Sequence, residues 1–224
     1  MAQKVKVLFT EFVTHDVKHF IVEKPIGFTF IPGQATDVSI PRPGFEDQKR
    51  PFTFTSSPQD LILEFTIKCY VDHNGVTKEL HNLKPGDEIV LEDPFGTINY
   101  KGPGVFLAGG AGITPFISIL RNLKKQNTLS GNTLIFSNKE AKDIILEPEF
   151  KEMFTLPDTK LVLILSREQR QGYEYGHIDK TNLPKYVADF SKNFYLCGPP
   201  KFVQVMKQTL SELGAKADSV VFEE

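Results

Sequence analysis

The chain has 224 residues and a formal net charge of −2, with 28 acidic residues against 26 Lys and Arg. That length suits one large domain or two small ones with a real core, and the charge balance carries no general electrostatic footprint for nucleic acid. The two cysteines, Cys69 and Cys197, lie far apart; this excludes an all-cysteine iron–sulfur cluster carried by this chain alone and argues against a disulfide framework. Residues 1–11 alternate charged and apolar side chains without the apolar core of a signal peptide. No apolar run approaches the ~20 residues of a membrane helix. The expectation is a cytoplasmic protein with no membrane insertion and no nucleic-acid partner.

The first hundred residues read as short strands. Residues 5–9 and 17–22 are rich in β-branched and aromatic side chains, with Thr14-His15-Asp16 as a turn between them. Pro32-Gly33 precedes a strand at 35–40, and Pro41-Arg42-Pro43-Gly44 breaks the chain again. Strand composition returns at 52–55 and 61–70, a helix is expected at 77–83, and Lys84-Pro85-Gly86-Asp87 turns into a short strand at 88–91. Strands at this spacing predict an antiparallel barrel or sandwich.

The pattern changes near Lys101-Gly102-Pro103-Gly104. Strands are expected at 105–108, 133–136, 160–165, up to Cys197, and at 219–222, with helices at 115–125, 147–154 and 201–213. Apolar strands alternating with helices predict a parallel sheet covered on both faces. The boundary falls near residue 102, giving domains 1–101 and 102–224.

Four local motifs carry chemistry. Phe106-Leu107-Ala108-Gly109-Gly110-Ala111-Gly112-Ile113-Thr114-Pro115 is an apolar strand, a glycine-rich turn and a helix start, which together suit a diphosphate. Pro115 fits the first helical turn and takes the last place of the more usual Gly-x-Gly-x-x-Gly pattern. Cys197-Gly198-Pro199-Pro200 also leaves an apolar strand and opens a helix; on its own it reads as a buried cysteine before a cap. Arg50-Pro51-Phe52-Thr53 offers a guanidinium for phosphate and a ring for stacking, though alone it is an ordinary edge strand. Asn74-Gly75-Val76-Thr77 leads into the short helix and suits either a phosphate or a plain capped loop.

The order of these motifs, with Pro32-Gly33-Gln34, Lys84-Pro85-Gly86-Asp87 and Asp93-Pro94-Phe95-Gly96 among them, runs across nearly the whole chain. It resembles the ferredoxin–NADP⁺ reductase superfamily, and within it the compact bacterial flavodoxin/ferredoxin reductases. The resemblance implies an N-terminal six-stranded antiparallel barrel binding FAD and a C-terminal doubly wound α/β domain binding NADPH or NADH. Arg50 would pair with the flavin phosphate. Phe52, with Pro51 beside it, would stack on the ring, and Thr53 would hydrogen-bond near its reactive nitrogen. Gly75, Val76 and Thr77 would hold the diphosphate. Gly110, Gly112, Thr114 and Pro115 would form the nicotinamide-nucleotide site. Cys197, Gly198 and Pro199 would border the nicotinamide, and Ser166 with Arg167, aided by Lys139, would grip a 2′-phosphate, which favours NADPH.

Phe52 and Thr53 replace the family's usual tyrosine and serine, keeping the stacking face and a hydroxyl donor. Where many relatives end in an aromatic residue over the flavin, this chain ends Phe222-Glu223-Glu224; either Phe222 serves or that face is more open, and Glu223 is a candidate proton relay. The expected function is electron transfer from NAD(P)H through FAD to a small protein such as flavodoxin or ferredoxin. The alternatives are a reductase component for an oxygenase, a ferric chelate or free flavin, and a nucleotide-binding regulatory protein without turnover.

Overall fold

The computed structural model describes residues 2–70, 75–96 and 98–222. Three residues named above, Asn74, Glu223 and Glu224, lie outside the described residues. The chain forms two compact units, Met1–Thr97 with Thr114–Asn122, and Ile98–Ile113 with Leu123–Glu224.

The first unit carries β1 (Gln3–Phe12), β2 (Val17–Glu23), β3 (Ala35–Ser39), β4 (Arg50–Thr53), β5 (Ile62–Lys68), helix α1 (Val76–Asn82) and β6 (Glu88–Leu91). All strand pairs are antiparallel, in the order β4-β3-β6-β1-β2-β5. Period-two alternation turns Phe20 and Val22 of β2 and Leu63, Phe65 and Ile67 of β5 into one core. The two outer strands approach where Phe54 bridges Phe65, and the N–H of Thr55 donates to the carbonyl of Glu64 at 2.8 Å. The sheet is thus a nearly closed six-stranded barrel. Phe54 fills its centre, stacked on Phe30 at 4.3 Å and tilted on Phe65 at 5.2 Å.

Helix α1 is fixed at both flanks by charge. The buried Lys18 ammonium donates to the carbonyls of His81 and Leu83, each at 2.9 Å, and so satisfies the helix C-terminus. Arg42 reaches Glu79 of α1 at 2.7 Å and Asp87 at 2.8 Å.

The second unit carries β7 (Gly104–Gly109), β8 (Thr133–Asn138), α3 (Glu147–Met153), β9 (Lys160–Leu165), β10 (Glu174–Tyr175), α4 (Leu183–Tyr186), β11 (Asn193–Cys197), α5 (Pro200–Glu212) and β12 (Val220–Phe222). Helix α2 (Thr114–Lys125) follows β7, and its first nine residues belong to the first unit. The sheet order is β10-β9-β8-β7-β11-β12, with every pair parallel. The chain begins in the middle at β7, winds outward to β10, and returns to lay β11 on the other side of β7. Val105, Leu107, Phe194 and Leu196 pack with Leu183, Met206 and Leu210 on one face, while Phe136 meets Phe150 of α3 edge-on at 6.1 Å on the other. Helices therefore cover both faces, as a doubly wound sheet requires.

Three local readings change. The strand expected at 52–55 lies at Arg50–Thr53, because β4 is an edge strand that tolerates Pro51 without an N–H to share. Helix α2 starts at Thr114 after a 3₁₀ turn at Gly110–Ile113. Strand β10 and helix α4 were not expected, being two and four residues long, too short for periodicity to register.

Candidate functional site

On the barrel, Arg50, Pro51, Phe52 and Thr53 stand consecutively on β4, opposite Val38, Asp37, Thr36 and Ala35. Arg50 is exposed, one guanidinium nitrogen donates to the carbonyl of Lys49 at 2.8 Å, and among the described residues no carboxylate pairs with it. Phe52 is half-buried and rests in part on the barrel core. Thr53 is half-buried. Gly75 caps α1 without a side-chain bond, and nothing lies within 4 Å of where a Cβ would stand. Val76 points into the core at 1% exposure, so only its backbone faces outward chemistry, whereas Thr77 is half-exposed.

In the second unit, the glycine-rich turn and the Cys197 turn meet. Strands β7 and β11 are neighbours, with Ala108 opposite Cys197, and they flank the point where the strand order reverses. Open α/β sheets bind ligands at the carboxyl ends of such strands. Gly110 has φ +52 with open space around its Cα, whereas a Cβ on Gly112 would lie 2.4 Å from the Cys197 carbonyl oxygen and 2.5 Å from the Cα of Gly198. The two glycines therefore have different causes. Gly110 permits a left-handed turn beneath open space, and Gly112 lets two backbones touch. Cys197 and Gly198 are partly exposed, Pro199 caps α5, and Pro115 is buried in the first turn of α2. Thr114 opens that helix and belongs to the first unit.

Ser166 and Arg167 follow β9, two strands from β7 and so roughly 10 Å along the sheet edge. Their N–H groups donate to the carbonyls of Asn138 and Lys139, each at 2.9 Å. This sets the exposed Arg167 beside the exposed Lys139. Carboxylates also occupy this corner. Glu168 accepts the N–H of Ala141 at 2.8 Å, and Glu140 and Asp143 cap the next turn reciprocally. Phe222 lies in β12 with the Lys207 ammonium 3.7 Å over its ring, packed on the core of its own unit.

Two features escaped sequence reasoning. Asn138, at the carboxyl end of β8, is 5% exposed, and neither its Oδ1 nor its Nδ2 has a hydrogen-bond partner among the described residues. Glu64, His19 and Arg121 form a charged cluster in the first unit. No motif joins them, since they come from β5, β2 and α2. His19 Nε2 lies 3.2 Å from Glu64 Oε1, and Arg121 donates to the same oxygen. Burial alone would raise the carboxyl of Glu64. The His19 imidazole at that distance and the charge of Arg121 outweigh it and hold the group at about 2. No set of three His, Cys, Asp or Glu among the described residues could hold a metal ion.

Residues 4–100 match the model of the oxidoreductase FAD-binding domain, and residues 106–208 that of the oxidoreductase NAD-binding domain. The chain belongs to the ferredoxin–NADP⁺ reductase superfamily. It is 30% identical over 215 residues to the glycine betaine monooxygenase reductase subunit of Chromohalobacter salexigens, a match covering 90% of this chain and 58% of that subunit. It is similar to the CS-b5R domains of human Ncb5or in their NAD⁺ form, at 26% identity and a TM-score of 0.88, over all of this chain and 70% of the other. The fold also matches a ferredoxin NADP⁺ reductase from Neisseria gonorrhoeae with bound FAD and NADP, at 20% identity and a TM-score of 0.87, over 99% of this chain and 98% of that one.

The cofactors of this ferredoxin–NADP⁺ reductase relative are FAD and NAD(P)H. The residues present fit both. Arg50 offers an exposed guanidinium on an edge strand, and Gly75 leaves its helix start open. On the other unit, the Gly110 backbone is bare at the switch point of the sheet. No helix in the described residues is long and apolar enough to cross a membrane.

Proposed function

We propose that this chain is an NAD(P)H-dependent flavin reductase that passes electrons to a separate protein. The observation that carries this reading is the pair of successive domain matches, over residues 4–100 and 106–208, together with the open glycine turn beside Cys197-Gly198. FAD, when bound, would supply the chemistry that couples a two-electron donor to a one-electron acceptor.

The protein's part is binding and orientation. Arg50 neutralises flavin phosphate, Phe52 gives a flat apolar face, and the Thr53 hydroxyl donates a hydrogen bond at the ring. Gly75 and Val76, by their backbones, and Thr77, by its hydroxyl, hold the diphosphate. Gly110 and Gly112, with Thr114 and Pro115 at the start of α2, receive the nicotinamide nucleotide. Cys197, Gly198 and Pro199 border the nicotinamide. A cysteine there shapes the approach of the ring without acting as a nucleophile. Ser166 and Arg167 bind the 2′-phosphate of NADPH. The exposure of Arg167 next to Lys139 supports that choice, because a planar guanidinium suits a phosphate.

The acceptor is a one-electron carrier protein such as a ferredoxin or flavodoxin, or an oxygenase. The oxygenase reading is favoured by the monooxygenase reductase relative, of whose length this chain spans 58%. Anaerobic titration of the purified yellow protein with NADPH and with NADH, followed by a panel of flavodoxin, ferredoxin and oxygenase acceptors, tests the proposal. A protein that binds both cofactors yet does not bleach with either coenzyme would overturn it.

A further inference from the structure

Two residues past the end of β4, the chain is gripped more tightly than barrel closure requires. Thr55 gives its N–H to the Glu64 carbonyl at 2.8 Å and its hydroxyl to Glu64 Oε1 at 2.9 Å, and its own carbonyl accepts from Arg121 at 2.9 Å. The next residue, Ser56, accepts from the Glu64 N–H at 3.1 Å through its hydroxyl and from the Ser118 hydroxyl at 2.7 Å through its carbonyl. Arg121 and Ser118 lie on α2. Every residue in this seam belongs to the first unit, and so do Thr53 and Thr114. One compact body thus carries a residue of the flavin strand and the first residue of the helix that follows the coenzyme turn. Arg121 stands seven residues from Thr114, about two helical turns.

Stability alone does not call for charge here. A buried ion pair is often no better than apolar residues of the same volume. What it adds is direction, since Arg121 can satisfy Thr55 and Glu64 together in only one placement of α2. The geometry points to Arg121 and Glu64 as positioning residues for hydride transfer: they set where the first turn of α2, with Thr114, stands relative to β4, with Thr53. This inference rests on the proposed function. If the wild-type protein is not reduced by either coenzyme, that reading fails first, and the seam is not the cause.

The test is stopped-flow flavin reduction in FAD-loaded variants, with FAD content, NADP⁺ affinity and hydrogen exchange read alongside. Arg121→Met leaves Glu64 buried without its cation, so the main variant is the double replacement Glu64→Leu with Arg121→Met, which removes both charges. Ser118→Ala removes one neutral bond of the same seam. Arg121→Lys keeps the charge without the fork.

The double variant should hold FAD and bind NADP⁺ within about twofold of wild type, and lose hydrogen-exchange protection in residues 114–118. Its flavin should be reduced tenfold or more slowly, the scale on which small misplacements act. Ser118→Ala should show the same direction at smaller size, and Arg121→Lys should recover part of the rate. Wild-type reduction rates in folded, FAD-loaded double and Ser118→Ala variants would overturn the inference. So would a loss of rate that only tracks lost FAD.

Discussion

Replacing Glu64 by glutamine probes the buried cluster through its linkage to pH. In the folded protein its carboxyl is held at about 2, against an ordinary 4.5. The folded-state value is the lower one, so between these two values the unfolded chain binds the extra proton, and stability rises with pH. The stabilisation is present in full above pH 4.5 and disappears as pH falls toward 2. A displacement of this size amounts to about 3 kcal/mol at neutral pH, within the range found when one partner of a buried pair is removed. Urea unfolding of wild type and Glu64→Gln in excess FAD, followed by near-UV circular dichroism from pH 7 to pH 3, measures it. The gap should be about 3 kcal/mol at pH 7, narrow below pH 4.5, and shrink by up to about 1.4 kcal/mol per pH unit. The other lowered carboxylates, such as Asp16 and Glu147, titrate alike in both proteins and cancel. A gap that stays constant across this range would refute the assignment of the shift to Glu64.

Gly112→Ala should lower stability by more than 1 kcal/mol and disturb NADP⁺ binding, because its Cβ would meet the Cys197 carbonyl at 2.4 Å; thermal melts and calorimetry report both. Arg50→Ala should purify with less FAD, losing a charge-assisted contact of about 1.5–3 kcal/mol, which flavin absorbance per protein measures. Arg167→Ala should weaken kcat/KM for NADPH and leave NADH nearly unchanged; equal losses would remove the 2′-phosphate role. Cys197→Ala should fold, keep FAD and bind NADP⁺, yet slow the hydride step in stopped flow; a wild-type rate would make Cys197 a packing residue.

The strands of both sheets were legible because their patterns are local, whereas the residues alone left barrel and sandwich open and the closed barrel came only with the resemblance. Residues 88–91 and 160–165 become β6 and β9 with no change of bounds, since turn residues and apolar runs mark their ends. The glycine turn was legible as a motif, but not the cause of each glycine: Gly112 is required by a backbone 85 positions later that only the fold brings near. The Arg121–Glu64 pair, 57 residues apart, left no trace in spacing. A helix arginine on an apolar face looks like any solvated charge until its partners are placed. Likewise Val76 reads as part of a phosphate loop in sequence, while its side chain serves the core.

The edge strand β4 has a second consequence. Among the described residues, Arg50–Thr53 pairs on one side only, with β3, and the barrel seam closes beyond it at Phe54. An unpaired edge is a template for a strand from another molecule. Here Pro51 withholds an N–H from any such partner, and Arg50 adds an exposed positive charge at the strand's first residue. Arg50, proposed above for the flavin phosphate, thus also guards this edge together with Pro51. The guard therefore does not depend on flavin: a flavin-free protein keeps it as long as Arg50 and Pro51 remain, and replacing them would leave the edge open to a second strand.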